Sequence, residues 1–114
     1  MRDTIKKHEH FVMGDNDPIA HSAGFVVRAK KTLFPGDARY GLIASKRTFK
    51  LAVDRNRAKR LLREWIRHNE KMLLPDLDYV FIARRAILGY ERDQGITAMS
   101  KALHWIAKSV KDAQ

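Results

Sequence analysis

The chain is 114 residues long and 45% hydrophobic, with 23 Lys and Arg against 13 Asp and Glu, a formal net charge of +10. That length suits one domain around one modest core, and the charge favours polyanionic partners, nucleic acid ahead of an anionic membrane surface. The absence of cysteine excludes disulfides and thiolate metal sites, and no apolar run approaches the roughly 18 residues of a membrane span or the core of a signal peptide, so a cytoplasmic protein without a membrane partner is expected.

In chain order, "TIKKHEHFVM" (4–13) predicts a short helix with Thr4 as its cap and Ile5 and Phe11 facing inward, ended by the "GDNDP" that follows. "GFVVRAKK" (24–31) and "ARYGLIASK" (38–46) are rich in strand formers, and the Pro-Gly-Asp in the "LFPGDA" between them predicts a hairpin. From about Leu51 to Leu74 the apolar period changes from two to 3.6, with Asp54 as cap or first-turn acid, which predicts a helix. Pro75 then blocks helical hydrogen bonding, and "DYVFIAR" (78–84) reads as a buried strand. Finally Ile96, Met99, Leu103, Ile106 and Val110 recur at helical spacing, with Lys101, Lys108 and Lys111 between them, so an amphipathic helix closes an α+β order.

The densest charge lies in "RNRAKRLLRE" (55–64), four arginines and one lysine against a single acid. With successive residues turned by about 100°, Ala58, Leu61, Leu62, Trp65, Ile66, Met72 and Leu73 fall on one side. Asn56, Lys59, Arg60, Arg63 and Arg67 fall opposite. A helix charged only for solubility mixes signs at i and i+4, yet residues 46 to 71 hold ten Lys or Arg and three acids, +7 of the chain's +10. Such a face is suited to phosphates, because a guanidinium fork pairs two oxygens of one phosphate at once. Asn56 adds an amide that reaches a sugar hydroxyl or a base edge.

The sequence "RNRAKRLLRE", preceded by "GLIASKR" (41–47) and followed by "LDYVFIARR" (77–85), resembles the protein component of bacterial ribonuclease P, with the similarity running from about Phe11 through Arg85. The resemblance implies a single-domain α-β-β-β-α-β-α sandwich, ribosomal protein S5 domain 2-like, with a left-handed βαβ crossover where general rules predict a right-handed one. It implies a subunit of an endoribonuclease that removes the 5′ leader of precursor tRNA, in which the RNA subunit performs the hydrolysis with Mg²⁺ and no protein residue is catalytic. Its partners would be the ribonuclease P RNA and precursor tRNA with its leader. Carried over, the motif assigns Lys46, Arg47, Arg55, Asn56, Arg57, Lys59, Arg60, Arg63 and Arg67 to RNA contact. A leader cleft would use Phe11, Phe25 and Arg28, the last standing where many members carry tyrosine; Phe11 and Phe25 are also ordinary core positions.

Other chemistry is sparse. His8 and His10 would diverge on a helix and lack a third ligand, so no metal site is expected. His68 and His104 read as buried or half-buried structural residues, and Asp76 and Asp78 as turn residues without a catalytic partner. The competing readings are a small basic ribosomal protein of split βαβ type, a DNA-binding regulator, and a protein-only nuclease. A DNA reader would need a second helix just upstream of residue 55, where "GLIASKR" reads as strand, and a nuclease would need clustered carboxylates.

Overall fold

The most apolar run of the chain takes the centre of the sheet. In the computed structural model, which describes residues 2–3, 17–32 and 38–112, the strand Leu77–Ala83 (β5) is buried along almost its whole length. It is flanked by Phe25–Lys31 (β3), antiparallel, and Arg39–Ile43 (β4), parallel. Ile19–His21 (β2) pairs antiparallel with β3 at one edge, and the two-residue Arg2–Asp3 (β1) lies parallel to β4 at the other, giving the order β1-β4-β5-β3-β2. Two helices, Ala52–His68 (α1) and Arg92–Asp112 (α2), complete the α+β order. The expected N-terminal helix, with Phe11 and the two histidines at 8 and 10, lies outside the described residues, as does most of the Pro-Gly-Asp turn.

The expected hairpin of β3 with β4 does not form, because β5 stands between them. A strand that is apolar on both faces gains most from neighbours on both edges, and the two amphipathic strands serve as those neighbours. The tight turn falls instead between β2 and β3, where the Ser22 N–H donates to the Phe25 carbonyl at 2.9 Å. The parallel pair β4 and β5 is joined through α1, which is the βαβ unit that the resemblance implied.

One face of the sheet, formed by Phe25, Val27, Ala29, Tyr40, Leu42, Leu77, Tyr79, Phe81 and Ala83, carries both helices. From α1 come Ala58, Leu62, Trp65 and Ile66, and from α2 Met99, Ala102, Leu103 and Ile106. Each large side chain so buried contributes about 1.5–3 kcal/mol. The period of 3.6 read from the sequence therefore marks the packing faces of both helices correctly.

Helix α1 is shorter than the apolar pattern suggests, ending at His68 rather than near Leu74. Asn69 ends it: the side-chain amide donates to the carbonyls of Trp65 (2.9 Å) and Ile96 (3.2 Å), and its backbone N–H turns back to the Ile66 carbonyl at 3.0 Å. One buried residue thus closes α1 and ties it to α2. Glu70–Met72 forms a 3-10 turn, which still leaves Met72 and Leu73 against the core margin. At the other end Leu51 occupies the cap position without a side-chain bond, and Asp54 is a first-turn acid.

Trp65 of α1 lies directly on Gly95 of α2. A Cβ at position 95 would stand 1.9 Å from Trp65 Cε2, inside the fully buried indole. Gly95→Ala is therefore expected to destabilise the fold by about 1–3 kcal/mol despite alanine's better helix propensity, since overpacking a rigid core outweighs a gain of about 1 kcal/mol. Chemical denaturation measures it; a stabilised variant would mean that the ring swings aside.

Tyr79 is buried on β5, and its hydroxyl oxygen accepts the Leu74 N–H at 2.8 Å. Burial pushes its pKa up from the ordinary phenol value, against a smaller opposing effect of that bond. The raised pKa means that the folded state holds the proton more tightly than the unfolded chain. Its contribution is complete below about pH 10 and is lost as the pH rises through the folded-state pKa. Absorbance titration should show Tyr79 ionising later than an exposed tyrosine, and Tyr79→Phe should abolish the late component.

Candidate nucleic-acid interface

The interface begins in the turn after β4. The Ser45 hydroxyl accepts the Thr48 N–H at 3.1 Å and the Ser45 carbonyl accepts the Phe49 N–H at 2.9 Å, while the Phe49 ring is fully buried. This anchored turn carries Lys46 and Arg47 exposed at its tip. Arg55, in the first turns of α1, donates from Nη1 to the carbonyls of Phe49 (2.8 Å) and Lys50 (3.2 Å). It is half-buried, and one arm of its guanidinium braces the turn rather than facing solvent. Arg85, just beyond β5, approaches the Thr48 carbonyl at 3.5 Å and adds an exposed cation to the same corner. Its part in the cluster was not legible locally, since 37 residues separate it from Thr48.

Along α1, Asn56, Arg57, Arg60, Arg63 and Arg67 are exposed and Lys59 is half-buried. Two depressions run side by side on this face and share Arg60 and Arg63. One lies against Val53, Asn56 and Lys59. The other, of about 410 Å³, is walled by Tyr40, Arg67, Glu64 and Glu70. Together they make a trench following the outer flank of α1, with the apolar Val53, which is 63% exposed, at one end.

The one acid within "RNRAKRLLRE" does not neutralise this trench. Glu64 Oε1 accepts from Arg92 Nε at 2.7 Å, and Arg92 Nη2 donates to His68 Nε2 at 2.7 Å. An arginine of α2 thus holds the acid of α1. Among the described residues, Asn56, Arg57, Lys59, Arg60 and Arg67 make no side-chain hydrogen bond or ion pair. Like charges crowded along one flank raise the local positive potential, which is the condition for binding a polyanion by counterion release.

The remaining site expectations divide. Arg28 is exposed on the sheet face opposite the helices, half-way along β3. Phe25 points to the other face, with no exposed surface, and its ring lies 6.1 Å from that of Trp65. It is a core residue and presents no surface to a leader strand. The correction follows from strand geometry, since residues an odd number apart on one strand cannot share a face. His68 and His104, expected to be buried or half-buried, are both exposed. Asp76 does turn the chain, with a φ of 63°. Asp78 instead lies fully buried within β5, where Arg39 donates to it from Nε (3.1 Å) and Nη2 (2.7 Å).

Among the described residues no group of three or more His, Asp or Glu is placed to hold a metal ion, and no helix is long and apolar enough to cross a membrane. The chain matches the Ribonuclease P family over residues 2–107. It is 39% identical over 97 residues to the ribonuclease P protein component of Marinomonas sp., an alignment covering 85% of this chain and 72% of that one. With the ribonuclease P protein component of Chromobacterium violaceum it shares 38% identity over 71 residues, 62% of this chain and 58% of the relative. Among solved structures it is similar to the Staphylococcus aureus RNase P protein, with a TM-score of 0.74, 27% identity and 95% of both chains covered. The fold is also like that of the RNase P protein from Thermotoga maritima, with a TM-score of 0.58 and 22% identity over 75% of this chain and 83% of that one.

Proposed function

Because the chain belongs to the ribonuclease P protein family, we propose that it is the RNA-binding subunit of a ribonucleoprotein endonuclease that removes the 5′ leader from precursor tRNA. The observation that carries this reading is the trench along α1, where Arg60 and Arg67 are exposed and make no side-chain hydrogen bond or ion pair among the described residues while Arg92 engages Glu64. Arg57, Arg60 and Arg67, with Lys46 and Arg47 at the adjoining turn, would pair phosphates of the RNA subunit. Asn56, beside the exposed Val53, would contact a sugar or base edge. Arg55 would act mainly by holding the turn in place.

The described residues do not fit a protein-held metal, so no step is assigned to one; Mg²⁺ would be held by RNA, and the chemistry would belong to the RNA subunit. The protein's share is to bind, orient and neutralise. Arg28, on the opposite sheet face, is the one described residue of the expected leader cleft that is open to a strand, and its guanidinium can stack on a base or pair a phosphate. The location would be that of the RNA it serves, the cytoplasm.

The test is to recover the tagged protein from cells and sequence the RNA that accompanies it. A single dominant structured RNA that cleaves precursor tRNA in vitro, with cleavage stimulated by this protein, is the expected result. Ribosomal RNA alone would overturn the proposal in favour of a ribosomal protein.

A further inference from the structure

At the sheet edge away from β4, a second basic and aromatic surface lies outside the α1 trench. Trp105 of α2 is 54% exposed, although the other tryptophan, Trp65, is fully buried. Its indole Nε1 donates to the carbonyl of Ile19 on β2 at 3.2 Å, which fixes the ring beside the sheet edge. Between α2 and β2 runs an open groove of about 480 Å³ whose walls include Ile19, Ala20, His21, Ala98, Lys101 and Trp105.

The chemistry of the rim is one-sided. None of the groove's walls is acidic. Lys101 and Lys108 stand four residues before and three after Trp105, both exposed, so a cation flanks the ring on each side along the same helix stripe. Beside the His21 and Ser22 wall of the groove, Arg84 donates to the Ser22 carbonyl at 3.2 Å and lies 3.1 Å from His21 Nδ1.

We infer that this groove is a second RNA site, which takes a single-stranded segment by stacking a base on Trp105 and pairing its neighbouring phosphates with Lys101, Lys108 and Arg84. A cation, an aromatic and a cation in line match the phosphate, base and phosphate of an extended strand, and stacking asks for no particular base. An added β-strand fits less well, because the edge carbonyl of Ile19 that would receive it is already bonded to Trp105. The groove lies at the β2 edge of the sheet and the trench is walled by Tyr40 of β4, three strand spacings or about 14 Å across the sheet. RNA held along α1 does not cover the groove, so it is open to a different stretch of RNA. The inference rests on the reading of the chain as an RNA-binding subunit, and the two sites report through different signals.

The experiment uses the full chain carrying Trp65→Phe, which leaves Trp105 as the sole indole, and an unstructured oligouridylate as probe. Stacking should quench Trp105 emission saturably, and the unsubstituted chain should show the same quench over a constant background. Trp105→Ala should weaken binding of the labelled oligonucleotide about tenfold or more, and Trp105→Phe should restore most of it, since the ring and not the N–H does the stacking. Lys101→Glu with Lys108→Glu should abolish the quench, whereas Arg57→Ala with Arg60→Ala should leave its amplitude unchanged. Binding by anisotropy without any quench would overturn the inference and leave the α1 interface standing. Concentration-dependent self-association that shields Trp105 from acrylamide without RNA would also overturn it, by showing that a second copy fills the groove.

Discussion

Replacing Arg57, Arg60 and Arg67 together by alanine is expected to lower affinity for the RNA subunit by about a hundredfold at physiological salt, and to flatten the log-log salt dependence by between about 2 and 3 units. The reason is geometric as well as electrostatic. All three side chains are exposed on α1, and none has a hydrogen bond or ion pair among the described residues, so truncation removes phosphate contacts without removing a brace. Arg55 is a poor choice for the same test, because its loss would also release the turn that carries Lys46 and Arg47. The corresponding triple lysine variant should keep most of the salt slope while losing affinity, since an ammonium supplies charge without the planar fork. Equilibrium binding across a salt series checks both, and a slope unchanged by the alanine variant would remove α1 from the interface.

Arg39→Leu is expected to destabilise the protein by about 3–5 kcal/mol, the typical result of leaving a buried charge without its partner. Asp78 has no exposed surface, and Arg39 holds both of its oxygens from the neighbouring parallel strand, where the two residues stand in register. Arg39→Leu combined with Asp78→Leu should recover most of the loss, because a well-packed apolar pair replaces a buried ion pair at little net cost. Denaturant midpoints for the two single variants and the double variant measure the coupling directly. The pair also has a positional role. It locks β4 to β5, and β4 delivers the chain into the Ser45 turn and so into α1. At temperatures where Arg39→Leu remains folded its RNA affinity should be unchanged, which separates support of the site from contact with RNA.

Sequence by itself determined the amphipathic character of α1 and α2, the burial of the strand read at 78–84, the basic flank and the family motif, because a helix face and an apolar run are written in neighbouring residues. It also contained the parity that puts Phe25 and Arg28 on opposite faces of β3. What only the tertiary structure decided was which strands pair and which distant side chains meet. The insertion of β5 between β3 and β4, the closing of α1 by an asparagine that also reaches α2, and the burial of Asp78 under Arg39 are examples. Arg85 beside Thr48, Arg92 on Glu64 and Trp105 on Ile19 are others. Turn residues and periodicity act over one to four positions, whereas pairing is settled by the burial that the whole sheet achieves, and a partner tens of residues away leaves no mark on the local pattern.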